Sequence, residues 1–284
     1  MRPGPAPVPT VSWLPVFERI ADEVAIAVQN VWGKPSARRN LGRGAGGDTT
    51  VMIDRVAEDA ALAVLADVHA AGRDFTLLSE ELGEHRFGNG GDIILLDPID
   101  GSHNAKMGLP YFSIALAVAR GMTYGDVFEG TVRNLATGDH YAATRGMGAT
   151  LNGLPLRSTM PGEGAGSKID VVQIAPVPPV ENLSRCRGIL ALALKVRIMG
   201  SAALNICMCA SGAVSLSADL NLRSVDCAGA LLILTEAGGA SAGIDGVALD
   251  DVTLDLNQRV AVLSAQDAAN LGRALEALRP QEVD

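Results

Sequence analysis

The stretch Leu95-Leu96-Asp97-Pro98-Ile99-Asp100-Gly101-Ser102 is the most informative part of this 284-residue chain. The apolar run at residues 93–96 is typical of a buried strand, and it ends in two aspartates three residues apart. Pro98 fixes its own φ and biases the aspartate before it towards an extended backbone, so we expect a sharp turn. Such a turn can aim both carboxylates and the carbonyl group of Ile99 at one point.

This arrangement favours a metal ion beside a phosphate group. Crowded carboxylates repel each other unless they bind protons or share a cation. Mg²⁺ prefers oxygen ligands, commonly one or two carboxylates together with substrate phosphate. The backbone N–H groups of Gly101 and Ser102 carry little steric cover and suit an anion. Taken alone, the same residues also fit ordinary turn signals after a strand, and that alternative stays open at this point.

Composition limits the possible partners. With 48% hydrophobic and 19% charged residues, the chain is typical of a well-cored globular protein. The net charge of −9 disfavours nucleic acid, which needs basic patches. No apolar run reaches the ~18 residues needed to span a bilayer, so we expect no membrane partner. The N-terminus shows no apolar region of the kind found in signal peptides, which favours a cytoplasmic location.

The pattern of the chain predicts a short extension and two halves. Residues 1–13 are expected to form a loose Pro-rich extension, since four prolines lie within the first ten residues. Residues 14–158 predict an N-terminal α+β metal-binding domain, in which two helices pack against a mostly antiparallel sheet. Residues 159–284 alternate short strands with helices, which predicts a smaller C-terminal α/β domain.

Two segments carry more local predictions. The glycine-rich residues 40–47 predict a loop, either simply mobile or able to close over a ligand. Residues 183–194 predict one continuous helix, which is followed by a strand at residues 196–199.

Acidic residues recur at the ends of apolar elements. Glu80 and Glu81 follow a short strand, Asp54 precedes a helix, and Asp226 opens another helix. Each has an ordinary alternative: the aspartates as helix N-caps worth about 1 kcal/mol, and the glutamates as solvated charges. The recurrence of this pattern in both halves of the chain favours one shared acidic site.

Four motifs together resemble a known family. They are Leu78-Ser79-Glu80-Glu81, Asp97-Pro98-Ile99-Asp100-Gly101-Ser102, Gly200-Ser201-Ala202-Ala203 and Val225-Asp226-Cys227-Ala228-Gly229. Their order and spacing are similar to those of the inositol monophosphatase family, part of the lithium-sensitive, magnesium-dependent sugar phosphatase superfamily. The resemblance covers nearly the whole chain from about residue 14. It implies a layered αβαβα sandwich with the active site between two sheets, and a homodimer.

The resemblance also implies a role for each site residue. Two or three Mg²⁺ ions would be held by oxygen ligands from Glu80, Asp97, the Ile99 carbonyl, Asp100 and Asp226. The attacking water would be oriented or deprotonated by Asp54 and Ser102, with Glu81 as a helper acid. Phosphate and substrate contacts are implied for Gly101, Ser102, Gly200, Ser201, Ala202 and Asp219. For Arg223 two alternatives stay open, a contact to a second phosphate or hydroxyl group and a surface arginine.

Two departures from the family pattern affect the choice of substrate. Val225 stands where a tryptophan usually precedes the metal-binding aspartate, and Ala105 stands where a phenylalanine is usual. The chain looks more like the archaeal-type branch, whose members often hydrolyse both inositol phosphate and fructose 1,6-bisphosphate. We therefore expect a Mg²⁺-dependent phosphatase of a small polyol or sugar phosphate. The alternatives are a 3′-phosphonucleotide or NADP phosphatase and a catalytically silent member that binds phosphorylated ligands.

Overall fold

Helices and strands extend from residue 14 to residue 278 of the chain. The structure is a computed structural model that describes residues 11–45, 49–158, 168–175 and 178–279. The helices are α1 (Leu14–Gln29), α2 (Met52–Ala70), α3 (Ser102–Met107), α4 (Pro179–Arg185), α5 (Arg187–Leu192), α6 (Ala202–Ala210), α7 (Ser224–Glu236) and α8 (Ala268–Leu278). The strands are β1 (Asn40–Arg43), β2 (Thr49–Val51), β3 (Phe75–Ser79), β4 (Gly83–Phe87), β5 (Asp92–Asp100), β6 (Ser113–Ala119), β7 (Val127–Asn134), β8 (His140–Thr144), β9 (Gly148–Leu151), β10 (Leu154–Leu156), β11 (Ile169–Ile174), β12 (Ala193–Arg197), β13 (Leu216–Leu222), β14 (Ala240–Gly243) and β15 (Val260–Ala265).

Among the described residues, the strands form two large sheets and one small pair. The eight-stranded sheet has the order β10-β9-β8-β7-β6-β5-β3-β4, and the five-stranded sheet has the order β12-β11-β13-β15-β14. In the larger sheet β3 runs parallel to β5, and the other described neighbours are antiparallel. In the smaller sheet β11 is parallel to β12 and β13, whereas β15 is antiparallel to β13 and β14.

Helices cover both sheets and separate them. On the outer face of the larger sheet, α1 and α2 pack through residues such as Phe17 against Leu96 of β5. The helices α6 and α7 lie between the two sheets, and residues 224–234 of α7 are all buried. On the far face of the smaller sheet, α5 and α8 pack through Ile189 and Ala274. The layered αβαβα sandwich implied by the family resemblance is therefore confirmed.

Two of the local predictions are wrong. Residues 183–194 do not form one helix, because α4 ends at Arg185, α5 begins at Arg187 and the chain enters β12 at Ala193. Pairing of β12 with β11 at the edge of the sheet overrides the helical periodicity. The glycine-rich segment is not wholly a loop, since β1 pairs with β2. Residues 46 and 47 of that segment lie outside the described residues.

The N-terminal extension is described only from residue 11, and residues 1–10 lie outside the described residues. The last residue of the predicted extension, Trp13, is fully buried. Its backbone N–H group donates to Glu129 Oε2 at 2.7 Å, and its indole N–H group donates to Asp92 Oδ2 at 2.7 Å. These bonds fix the start of α1 against the larger sheet.

The predicted turn at Pro98 is a bulge in a strand. The pairing of β5 with β6 is regular from Ile93 to Asp97 and then shifts register before Asp100. Proline cannot donate a hydrogen bond to a neighbouring strand, and a bulge redirects the side chains next to it. The shift therefore lets Asp97 and Asp100 both point into the same cleft instead of following the alternation of an ordinary strand.

A contact between two glycines sets the position of α7. Gly229 of α7 lies against Gly130 of β7, and a Cβ atom on Gly130 would be only 2.7 Å from the Cα of Gly229. A Cβ atom on Gly229 would in turn overlap the carbonyl oxygen of Leu116. Because Gly229 is one turn after Asp226, this close packing also determines how near that carboxylate comes to β5.

Replacement of Gly229 by alanine is expected to destabilise the protein by about 1–3 kcal/mol, the usual range for overpacking a core. The matched control is Gly272→Ala in α8, where nothing lies within 4 Å of the added Cβ atom. In an exposed part of a helix this change is expected to stabilise by about 0.5–1 kcal/mol. Urea unfolding measures both, and equal stability of the two variants would contradict the close contact.

Candidate active site

One cleft gathers the residues that the sequence analysis selected. Its volume is about 700 Å³, within the range of small-molecule sites. It lies where β5 and β13 end and where α3, α6 and α7 begin. The selected residues that line it are Asp54, Glu80, Glu81, Asp97, Ile99, Asp100, Gly101, Ser102, Gly200, Ser201, Ala202, Asp219, Arg223 and Asp226. The structure therefore brings together every site residue proposed from the sequence, while their individual roles stay predictions.

Three carboxylates form the most compact group in the cleft. One oxygen each from Glu80, Asp97 and Asp226 lie within 4.8 Å of one another. The three residues come from the end of β3, the bulge in β5 and the first turn of α7. Asp97 and Asp226 are buried and Glu80 is nearly so. Buried carboxylates at such separations repel strongly unless protons or cations neutralise them.

Two aspartates cap helices as well as lining the cleft. Asp54 is the third residue of α2, and its Oδ2 accepts from the N–H group of Val51 at 2.9 Å. Asp226 holds the same position in α7, and its Oδ2 accepts from the N–H group of Arg223 at 2.8 Å. Each aspartate can therefore cap its helix and line the cleft at the same time, because Oδ2 bonds the backbone and Oδ1 is left for the cleft.

Asp100 connects the two halves of the chain. Its carboxylate accepts from the Ser201 hydroxyl group at 2.5 Å and from the N–H groups of Ala202 and Ala203 at 3.0 and 2.8 Å. It therefore caps the first turn of α6, where a negative charge is favourable. It does not belong to the compact three-carboxylate group among the described residues. Its assignment as a metal ligand stays a prediction.

Asp54 and Ser102 form a pair suited to moving a proton. The Oγ of Ser102 lies 2.6 Å from Asp54 Oδ1 and 2.9 Å from the carbonyl oxygen of Ile99. Burial raises the pKa of Asp54 from 3.8 to about 6, although the bonds from Ser102 and Val51 oppose that rise. The carboxylate is thus mostly ionised near pH 7 and close to the value that suits a general base. Beside this pair, the hydroxyl group of Thr50 donates to Glu81.

Burial raises the pKa of the other cleft carboxyls as well. It raises the pKa of Asp100 and of Asp219 to about 6, and that of Glu80 to about 8. For Asp97 burial and the charges of neighbouring acids raise the pKa well above 3.8. The metal-free site therefore has a high affinity for positive charge, whether protons or cations.

Arg223 is not a surface residue, so that alternative is wrong. It is 6% exposed, and its guanidinium contacts two of the three clustered carboxylates. One Nη donates to Glu80, and Nε donates to Asp226 Oδ1 at 3.3 Å. A substrate-contacting role stays a prediction, since Arg223 also lines the cleft.

The side of the cleft formed by the second half of the chain carries polar groups suited to hydroxyl groups beside apolar residues such as Ile198 and Met199. Asp219 accepts from the side-chain amide of Asn205 at 3.3 Å and from the hydroxyl group of Ser217. Asn205 also accepts from the hydroxyl group of Tyr111. Asn104 donates from its amide to the carbonyl oxygen of Met199 at 2.6 Å, which ties α3 to the turn before α6. The sequence analysis missed both asparagines, since neither is marked by local sequence.

The sequence analysis also missed Glu58, a fully buried acid one turn after Asp54 on α2. Its Oε1 accepts from the Ser79 hydroxyl group at 2.6 Å and from the Leu82 N–H group at 2.8 Å. These bonds fix both ends of the turn that carries Glu80 and Glu81. The signal that identifies it is the spacing of four residues from Asp54, which places both acids on one helix face.

Glu58→Ala is expected to lower the free energy of unfolding by about 2–3 kcal/mol, because it leaves a hydroxyl group and an N–H group without an acceptor. Glu58→Gln keeps an acceptor oxygen and is expected to lose less. The neighbouring Asp59→Ala, at an exposed ion pair with Arg55, is expected to change stability by less than about 1 kcal/mol. Urea unfolding of the three variants gives the order, and equal losses for Glu58→Ala and Asp59→Ala would contradict this role.

Comparison with known proteins decides the family. The family model described as the inositol monophosphatase family matches residues 12–281 of this chain. The chain belongs to the inositol monophosphatase family. It is accordingly a phosphoric monoester hydrolase, as the family resemblance of the four motifs implied.

Individual members of the family agree with this assignment. The fructose-1,6-bisphosphatase/inositol-1-monophosphatase of Methanothermobacter thermautotrophicus is 35% identical over 265 residues, which cover 89% of this chain and 91% of the relative. The bifunctional NADP phosphatase/NAD kinase of Methanococcus maripaludis is 29% identical and matches 87% of this chain but 46% of the relative. The fold is also similar to a crystal structure of an inositol monophosphatase-fructose 1,6 bisphosphatase, with a TM-score of 0.80 and 25% identity. The match covers 94% of this chain and 100% of the chain in that crystal structure.

Within the described residues, none of the helices combines the length and the apolar character that a membrane-crossing helix needs.

Proposed function

We propose that this member of the family is a Mg²⁺-dependent phosphatase of a small polyol or sugar phosphate, acting on inositol 1-phosphate, fructose 1,6-bisphosphate or both. The observation that carries the proposal is the group of three clustered carboxylates in a cleft that is also lined by the polar side chains of Asn205 and Asp219. The names of the archaeal relatives support the same pair of substrates.

The donor atoms fit magnesium. Oxygen ligands from Glu80, Asp97 and Asp226 would hold the ion, and carboxylates are the donors that Mg²⁺ prefers. Asp100 and the carbonyl group of Ile99 would complete a site for two or three ions. When bound, Mg²⁺ would supply the positive charge that polarises the phosphoryl group and lowers the pKa of water.

The proton of the attacking water would pass to Ser102 and Asp54. Ser102 Oγ already lies 2.6 Å from Asp54 Oδ1, so the hydroxyl group can accept a proton from water while it gives its own to the carboxylate. Glu81, held by Thr50, would help to orient the same water. No covalent enzyme intermediate is required, because water itself attacks phosphorus.

The phosphate group would be held by backbone N–H groups of Gly101 and Ser102. Gly101 has φ +92°, a conformation that side chains rarely adopt. A Cβ atom at this position would meet the carbonyl oxygen of Gly200 at 3.0 Å, so the turns at Gly101 and Gly200 lie close together. This approach would place the phosphate and the carbon skeleton of the substrate next to each other, the latter against Ser201 and Ala202.

The cleft favours a small polyol over a nucleotide. Asp219 and Asn205 offer acceptors and donors for hydroxyl groups. Among the described residues that line the cleft, none is a phenylalanine, tyrosine or tryptophan that could stack on adenine. NADP is nevertheless a second candidate substrate, because two relatives are named as bifunctional NADP phosphatase/NAD kinases.

Phosphate release tests the proposal directly. The purified chain is incubated with inositol 1-phosphate, fructose 1,6-bisphosphate, NADP or a 3′-phosphonucleotide, with Mg²⁺ or with a chelator. We expect Mg²⁺-dependent release from one or both of the first two and little from the nucleotides. A full rate in chelator would exclude the metal-dependent mechanism, and binding without turnover under every divalent metal would favour the catalytically silent alternative. The homodimer and the cytoplasmic location stay predictions.

A further inference from the structure

Arg223 occupies an unusual place for a cation. It is the N-cap residue of α7, directly after β13, and its side chain is 7% exposed. Its guanidinium donates from one Nη to Glu80 and from Nε to Asp226 Oδ1 at 3.3 Å. The first contact joins residues 143 positions apart in the chain. Both acceptors belong to the three-carboxylate group that would hold the metal.

This contact has a clear electrostatic effect in the metal-free protein. When all three are ionised, the carboxylates within 4.8 Å of one another carry a charge of −3, and Arg223 brings a fixed charge of +1 into direct contact with two of them. Its positive charge opposes the rise that burial causes in the pKa of Glu80 and Asp226. In a second arginine, Arg259, Nη1 lies 3.9 Å from Asp226 Oδ2, and the side chain is more exposed than that of Arg223. Its electrostatic effect on Asp226 is therefore weaker.

A divalent cation bound by the three-carboxylate group would use the same two carboxylates, Glu80 and Asp226. To reach Glu80 and Asp226 it has to displace the guanidinium or share the carboxylates with it, and two cations that share buried ligands repel each other. The two guanidinium nitrogens that donate to Glu80 and Asp226 are less available to a phosphate group than those of an unpaired arginine.

We infer that Arg223 is the internal counter-ion of the metal centre, which stabilises the metal-free site and weakens its affinity for divalent cations by competing for Glu80 and Asp226. The inference rests on the proposed metal-dependent function and deepens it, since it names the residue that sets the metal affinity. Arg223 is thus a positioning and tuning residue, and its removal is expected to strengthen metal binding.

The test compares the full chain with Arg223→Gln after treatment with chelator, by calorimetric titration with Mg²⁺ and with Mn²⁺. We expect the variant to bind the first ion at least about tenfold more tightly, because one direct charge contact is lost. In chelator its Tm is expected to fall, while the two proteins are expected to converge in saturating Mg²⁺. Arg259→Gln is the matched control and is expected to change the Kd by less than about threefold. Arg223→Lys, which keeps the charge, is expected to lie between the wild type and Arg223→Gln.

The outcomes separate the two proposals. Absence of divalent-ion binding by the wild type would overturn the proposed function. Binding by the wild type with equal or weaker binding by Arg223→Gln, and an unchanged Tm in chelator, would overturn the inference alone.

A measurement on the wild type covers the case in which Arg223→Gln does not fold without metal. The Nε–Hε NMR signal of Arg223, assigned by its loss in Arg223→Lys, is expected to shift as Mg²⁺ is added. A signal that stays unchanged at saturating Mg²⁺ would also overturn the inference.

Discussion

Asp97→Asn is expected to lower phosphate release by at least about a hundredfold and, at the same time, to stabilise the metal-free protein. Activity falls because one of the three clustered carboxylates is lost. Even the loss of a residue that only hydrogen-bonds to a metal ligand typically lowers metal affinity or activity by about 10–100-fold. Stability rises because asparagine keeps the acceptor that bonds the Ile99 N–H group at 3.0 Å but carries no charge against Glu80 and Asp226.

Asp97→Asn is thus expected to lower phosphate release and to raise the free energy of unfolding. Phosphate release is measured in saturating Mg²⁺, and the free energy of unfolding is measured in chelator at pH 8. The control is Asp67→Asn, which removes an exposed charge paired with Arg19 on the outer helices. It is expected to change neither phosphate release nor the free energy of unfolding substantially. Retained activity in Asp97→Asn would contradict the assignment of the metal site, and a lower stability in chelator would contradict the account of charge repulsion.

The second large effect is a loss of stability as pH rises in the absence of metal. Burial raises the pKa of Asp54, Asp100 and Asp219 to about 6 and that of Glu80 to about 8. The folded protein therefore binds more protons than the unfolded chain between about pH 4 and pH 8. The free energy of unfolding must then fall as pH rises through this window, whereas stability is fully present below the unfolded-state pKa values.

The size of this effect follows from the pKa shifts. One pKa unit corresponds to about 1.4 kcal/mol, so a rise of about two units is worth about 3 kcal/mol for a single buried carboxyl. His140 acts in the opposite direction, since burial lowers its pKa, but it is a single group against several acids. Because the acids lie together, Mg²⁺ is expected to restore most of the lost stability at pH 8 and little at pH 5.

Thermal unfolding in chelator from pH 5 to pH 8, repeated with Mg²⁺, measures both parts of this prediction. Asp97→Asn is expected to flatten the pH dependence in chelator, since it removes one of the coupled acids. A Tm that rises with pH in chelator would show that the acids are not buried together as the structure has them.

Much of the site could be predicted because its signals are local. The stretch at residues 95–102 combines a strand end, a proline that interrupts strand pairing and two aspartates. All of these features can be recognised from the local sequence, without knowledge of tertiary contacts. The acids at 54, 80, 81 and 226 each follow or begin an apolar element, so their recurrence indicated one site. The family resemblance then supplied the layer order, which hydrophobic periodicity alone could not.

Other parts depended on contacts between distant segments. The helix predicted at residues 183–194 became two short helices and a strand, since pairing with β11 outweighs local propensity. The spacing of Glu58 from Asp54 places both acids on one helix face, but the structural role of Glu58 arises from the Ser79 and Leu82 groups that α2 contacts.

By itself the sequence determined the chemistry of this protein: which acids are available, where the chain must bend, and to which family the chain belongs. Only the tertiary structure decided how those charges are paired, with Asp100 bonded to the start of α6 and Arg223 bonded to Glu80 and Asp226. The physical reason is that ionic interactions depend on distance and burial in space, which have no fixed relation to separation along the chain.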